Sequence, residues 1–117
     1  MNILIENIIE KLKQPLPGLS AHLELAPYRN EIELDFKNKN PKIASTLLLF
    51  YPKDGETFFC LIERQEYEGT HSNQISFPGG KNESGESMKE TALRETKEEI
   101  GVDPISINII GELTQVF

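Results

Sequence analysis

The sequence predicts a mixed α/β domain, and three stretches predict it. Residues 3–13 place Ile5, Ile8, Ile9 and Leu12 at helical spacing, with Glu6, Glu10, Lys11 and Lys13 between them. Residues 43–62 hold two apolar runs separated by Pro52-Lys53-Asp54-Gly55, the pattern of a β-hairpin whose Asp-Gly pair favours positive φ. A longer helical run covers about residues 86–100 and meets Gly101, a residue suited to a left-handed C-terminal cap.

Each element can be justified in order. Pro15, Pro17 and Gly18 stop the first helix. Its apolar stripe suits packing on the domain or on a partner subunit, and its basic residues are too few for a membrane surface. Residues 19–42 are mixed, turn polar from Asn30 and are broken by Asn40-Pro41, so they read as a connecting segment. Within them Ile32, Leu34 and Phe36 alternate with charged residues, which fits a short edge strand. Residues 43–51 suit one continuous buried strand and 57–62 its return strand. Residues 74–77 read as a short strand running into Pro78-Gly79-Gly80, a tight, flexible loop. Residues 105–110 are another β-rich run.

A chain of 117 residues fits one domain, expected to span 1–117. Its 38% hydrophobic and 26% charged residues match a soluble globular protein. The net charge of −7 comes from 19 acidic against 12 basic residues. That balance argues against nucleic acid as a partner, because backbone binding needs basic residues to displace counterions. It leaves room for a small anionic substrate whose charge is met by a metal ion. Cys60 is the single cysteine, so no intrachain disulfide forms; it reads as a packing residue in a reducing compartment. No apolar run approaches the ~18 residues of a membrane span, and no basic leader opens the chain. The cytoplasm is the expected location.

The chemistry concentrates in the second helix. Glu95 and Glu99 lie four apart and Glu98 three from Glu95, which puts three carboxylates on one face. Taken alone, such a face is most simply a solvated one. Two neighbours favour a site instead. Ala92, Leu93, Thr96 and Ile100 make a mostly apolar stripe beside the acids, so the helix packs with its carboxylates at the boundary. The Gly loop upstream offers backbone carbonyls. Carboxylates plus a carbonyl are the oxygen ligands of a hard cation such as Mg²⁺ or Mn²⁺, which completes its shell with water and substrate phosphate oxygens.

The full spacing is more specific. Gly80, five residues, Glu86, seven residues, then Arg94-Glu95-Thr96-Lys97-Glu98-Glu99-Ile100-Gly101-Val102 resembles the Nudix box, the loop–helix–loop signature of hydrolases acting on nucleoside diphosphates linked to other groups. The departure is Thr96, where that family has an aliphatic residue. The resemblance implies metal ligation by Glu95, Glu98, Glu99 and the Gly80 carbonyl, with Glu95 or Glu98 orienting or deprotonating the attacking water. It implies that Glu86 and Arg94 pair structurally, which requires Glu86 to lie in the loop or first turn. It also implies an α/β/α sandwich around a mixed sheet. Only fifteen residues follow Val102, so the expectation is a fold incomplete at the C-terminus, with an exposed sheet edge that favours a homodimer or strand exchange.

The segment His71-Ser72-Asn73-Gln74-Ile75-Ser76-Phe77 resembles the extended motif of coenzyme A pyrophosphatases within that family, and Arg64 matches a basic position of it. This implies a small-molecule nucleotide substrate contacted by Arg64, His71, Gln74 and Ser76. Coenzyme A, cleaved to phosphopantetheine and adenosine 3′,5′-bisphosphate, is the first expectation. That subgroup has glycine in place of Asn73 and a second arginine near Gly69. ADP-ribose or a dinucleotide is the alternative substrate, and a Nudix-fold module that holds a nucleotide without cleaving it is the alternative class.

Overall fold

Asn2 opens the first helix, α1 (Ile3–Leu12), by accepting the Ile5 N–H on its side chain at 2.9 Å. The structure is a computed structural model that describes residues 2–28, 42–64 and 74–116. It divides into two compact units, one of residues 1–41 with 108–117 and one of residues 42–107. Among the described residues, no helix is long and apolar enough to cross a membrane.

In the first unit α1 follows the apolar periodicity of the sequence, with Ile5, Ile8, Ile9 and Leu12 half-buried and Ile3 exposed. Leu12 packs against Gly111, where a Cβ would meet the Leu12 Cδ1 methyl at 2.7 Å. A second helix, α2 (Leu19–Leu25), follows Gly18 directly. The sequence reading made residues 19–42 a connecting segment. The correction has a simple cause: Gly18, at φ +65°, ends the proline-rich turn and caps the next helix, so it starts an element as well as stopping one. The edge strand expected at Ile32, Leu34 and Phe36 lies outside the described residues.

In the second unit the strands form three antiparallel pairs among the described residues, with no mixed sheet joining them. β1 (Ala44–Thr46) pairs with β6 (Gly79–Lys81). β2 (Phe50–Lys53) pairs with β3 (Glu56–Phe59), and β4 (Ile62–Glu63) with β5 (Ile75–Ser76). The predicted hairpin is therefore β2–β3, turning through Asp54 at φ 51° and Gly55 at φ 78°. Tyr51 stacks on Phe58 across it, ring centroids 5.8 Å apart.

Three expectations change. The strand predicted over 43–51 breaks at 47–49, because the chain leaves β6 as its partner and takes up β3. It is not deeply buried either, since Ile43, Leu48 and Tyr51 are exposed. Pro78-Gly79-Gly80 is not a free loop, as Gly79 and Gly80 form β6 opposite Thr46 and Ser45. The run 105–110 is not a strand: Asp103 accepts the Ile105 N–H and, with Pro104, starts a 3-10 turn over Pro104–Ser106.

The third helix, α3 (Met88–Ile100), starts two residues later than the sequence reading placed it. Ser87 Oγ accepts the Glu90 N–H and Glu90 returns a carboxylate oxygen to the Ser87 N–H, a complete capping box. Gly101, at φ 74°, ends the helix as expected and donates to Lys97 O at 2.9 Å. The helix packs on β1 and β6. The small core between them holds Ala92 and Thr96 from the predicted stripe, together with Thr91, all buried, while Leu93 and Ile100 are half-buried.

Candidate active site

Glycine decides how closely the acidic helix can approach its strand. A Cβ at Gly79 would collide with the Ser45 carbonyl oxygen and come within 2.6 Å of Thr46 Cα, so β1 can lie on β6 only where that side chain is missing. A Cβ at Gly80 would meet Glu95 Cδ at 2.5 Å and its two oxygens at 2.7 and 2.8 Å. The Glu95 carboxylate thus fills the space above the Gly80 backbone. Glu99 reaches the same strand from the next turn of α3, accepting the Gly79 N–H at 3.0 Å.

The segment from Lys81 to Ser87 closes on itself. Glu86 N–H donates to Glu83 O at 3.1 Å, and Glu83 N–H donates to Glu86 Oε1 at 2.9 Å. This fixes Glu86 ahead of α3, with its carboxylate turned back towards the helix. Arg94 meets it there with two bonds, Nε to Oε2 at 2.6 Å and Nη2 to Oε1 at 3.0 Å. Such bidentate, charge-assisted pairs are among the strongest polar contacts in proteins. Arg94 Nη2 also donates to Lys81 O at 3.0 Å, which ties the strand, the loop and the helix together.

Arg94 Nη1 faces the remaining acids. It lies 2.9 Å from Glu95 Oε1, 3.4 Å from Glu98 and 3.7 Å from Glu83. One guanidinium therefore offsets the repulsion among four carboxylates. The hydrogen bonds from Arg94, backed by those from Glu83 N–H and Thr91, pull the Glu86 carboxyl down to about 2. The same partnership holds Arg94 above its already high ordinary value.

The donor chemistry suits a hard divalent cation: three carboxylates on one helical face, the first resting on a glycine whose missing side chain leaves it that place. Among the described residues, however, no three acidic, histidine or cysteine side chains converge closely enough to hold an ion as they stand. Glu95 is turned to Arg94, Glu98 leans on Arg94, and Glu99 accepts from Gly79. Glu98 and Glu99 are exposed.

The other residues singled out from sequence fall elsewhere. Arg64 N–H donates to Gln74 O at 2.8 Å, continuing the β4–β5 pairing, and both residues are exposed. Ser76 is half-buried, three positions before Gly79, and its hydroxyl oxygen has no partner among the described residues. Among the described elements no contact joins the β4–β5 pair to β1, β6 or α3. His71 lies outside the described residues. Sequence reasoning missed Asn82 and Thr91, which sit behind Glu86: Asn82 Nδ2 donates to Thr91 Oγ1 at 2.8 Å, and Thr91 Oγ1 donates to Glu86 Oε1 at 3.1 Å. Cys60 is free and half-buried.

An acidic helix seated on paired glycines, locked to its leading loop by Glu86 and Arg94, defines a loop–helix–loop signature of the hydrolase type. The chain belongs to the NUDIX family: residues 41–117 match the NUDIX domain. It is 42% identical over 72 residues to Nudix hydrolase 3 of Caenorhabditis elegans, covering 62% of this chain and 30% of that protein. It is 40% identical over 75 residues to the mitochondrial Nudix hydrolase 15 of Arabidopsis thaliana, covering 62% and 26%. Similarity to the 8-oxo-dGTP diphosphatase of Escherichia coli is 34% over 56 residues, covering 48% and 43%. The chain thus spans less than half the length of these curated relatives.

Proposed function

We propose that this chain hydrolyses the diphosphate bond of a nucleoside diphosphate linked to another group, using Mg²⁺ or Mn²⁺ held by Glu95, Glu98, Glu99 and the Gly80 carbonyl. The observation that carries the reading is the seating of the Glu95 carboxylate on Gly80, in the space a side chain there would fill, which brings the first acid of the helical face against the glycine strand. A bound cation would supply charge stabilisation at the phosphates and an activated water. The chain's own part is to keep three acids on one face and to hold Glu95 in place with Arg94. Glu95 or Glu98 orients the water or takes its proton. The presence of all three acids favours turnover over simple nucleotide binding.

Coenzyme A or one of its thioesters is the proposed substrate, supported by the motif at 71–77 and by Arg64 at the β4 end. The test is incubation with coenzyme A, ADP-ribose and dinucleotides in the presence of Mg²⁺ or Mn²⁺. Release of adenosine 3′,5′-bisphosphate from coenzyme A is expected, and preference for another member of the panel would replace the substrate while keeping the reaction. Glu98→Gln and Glu99→Gln should each lose activity by orders of magnitude. Retained activity in both would remove the proposed site.

A further inference from the structure

Thr91 is fully buried, and its hydroxyl lies in the middle of a relay of polar groups. Asn82 Nδ2 donates to Thr91 Oγ1 at 2.8 Å and to Glu86 O at 3.0 Å, so one amide holds both the helix and the loop residue. The Thr91 hydroxyl has one hydrogen and two acceptors at 3.1 Å, Glu86 Oε1 and Ser87 O. The carboxylate is the stronger acceptor, since hydrogen bonds to ionised groups are shorter and roughly twice as strong as neutral ones. Glu86 Oε1 in turn accepts from Arg94 Nη2, and Arg94 Nη1 donates to Glu95 Oε1. Asn82 and Thr91 stand at the unspecified positions of the spacing Gly80-x5-Glu86-x7-Arg94. The family signature therefore assigns them nothing.

We infer that Thr91, supported by Asn82, is a positioning residue: its buried hydroxyl, together with Glu83 N–H, trims the orientation of the Glu86 carboxylate and, through Arg94, the placement of the Glu95 carboxylate over Gly80. The inference rests on the hydrolase reading above for its functional meaning, and on the hydrogen bonds alone for its structure. Replacing the hydroxyl by a methyl takes one of three donors from Glu86 Oε1, which keeps Glu83 N–H and Arg94 Nη2, and one of two acceptors from Asn82 Nδ2, which keeps Glu86 O. Glu86 then loses its hydrogen bond from the buried side of the helix, and its carboxylate shifts within the grip of Glu83 N–H and Arg94, carrying the planar fork of Arg94 with it. Glu95 has no other side-chain hydrogen-bond donor among the described residues.

The test compares Thr91→Val, which removes the hydroxyl at near-constant shape, with Thr91→Ser, which keeps it. Two quantities are read: Mn²⁺ affinity by electron paramagnetic resonance, and the Arg94 Nε–H signal in ¹⁵N NMR. With only three arginines in the chain, that signal is readily assigned. Thr91→Val should weaken Mn²⁺ binding about 10-fold, the scale seen when partners behind a metal ligand are lost, and should shift the Arg94 signal. Thr91→Ser should return both close to the starting protein. Asn82→Ala leaves Thr91 in place and should move both readouts in the same direction by less. Unchanged affinity and an unmoved Arg94 signal in Thr91→Val overturn the inference, as does a Thr91→Ser variant no better than Thr91→Val. Should Thr91→Val fail to fold, an Asn82→Ala variant with neither readout moved overturns it as well. A starting protein that binds no Mn²⁺ overturns the hydrolase reading instead, and the Arg94 signal still decides the role of Thr91.

Discussion

Gly80 and Glu95 occupy each other's space: the carboxylate of one lies where the side chain of any other residue at the first position would begin. Gly80→Ala should therefore be a functional lesion more than a structural one. The obstructed group is the far end of a flexible side chain, so Glu95 can swing aside and the fold survives. Displacing a reacting group by about 1 Å can cost on the order of 100-fold in rate. Hydrolysis should fall by one to two orders of magnitude while the thermal melt stays close to that of the parent. Full activity in Gly80→Ala would show that Glu95 works from another position.

The adjacent glycine should behave in the opposite way. A Cβ at Gly79 strikes backbone, the Ser45 carbonyl and Thr46 Cα, and backbone cannot rotate out of the way. Overpacking of this kind costs about 1–3 kcal/mol and at times more. Gly79→Ala should lower stability by at least that much in urea unfolding, with loss of the β1–β6 pairing. A variant as stable as the parent would mean that the two strands can separate freely.

Acid should expose the contribution of Glu86. Its carboxyl titrates at about 2 in the folded chain, below the ordinary 4.5, with the hydrogen bond from Arg94 as the main cause. A depressed carboxyl contributes stability that is complete above its unfolded value and is lost as pH falls towards the folded one. Glu86→Gln should melt below the parent at neutral pH, and the gap should narrow between about pH 4.5 and pH 2. Parallel melting curves for the two proteins across that window would contradict the assignment.

Thr96 should be improvable. Its hydroxyl is buried on the strand-facing side of α3 with no hydrogen-bond partner among the described residues. An unsatisfied buried hydroxyl costs about 1–3 kcal/mol. Thr96→Val keeps the branch at Cβ, so helix propensity changes little, and it should gain about 1 kcal/mol in denaturant unfolding. A destabilised Thr96→Val would point to a partner for that hydroxyl.

Much of this site was legible without coordinates, for identifiable reasons. Helical spacing alone put Glu95, Glu98 and Glu99 on one face, and the requirement that Glu86 precede the helix followed from its distance to Arg94. The Asp54-Gly55 turn and the Gly101 cap were local signals that the fold respects. The capping box is equally local, and Ser87 with Glu90 marks the helix start in the sequence itself. The glycine strand could not be read in the same way. Glycine is a poor strand former, and only the approach of Thr46 and Ser45 explains its use there. The break at 47–49 reflects a change of partner strand, which no periodicity encodes. The run 105–110 shows propensity overridden by a local cap at Asp103. Asn82 and Thr91 carry ordinary polar side chains, and their importance arises only from burial next to Glu86.

The bond from the Gly79 N–H to Glu99 turns one backbone amide into a natural gauge. That proton has a side chain for its acceptor, so its deuterium uptake reports on where the Glu99 carboxylate is spending its time. If Glu99 is drawn towards a divalent ion, the amide loses its acceptor and exchanges faster while the neighbouring β1–β6 amides do not. A single peptide followed by hydrogen–deuterium exchange would then read the loading of the site directly, with no nucleotide present and no label added.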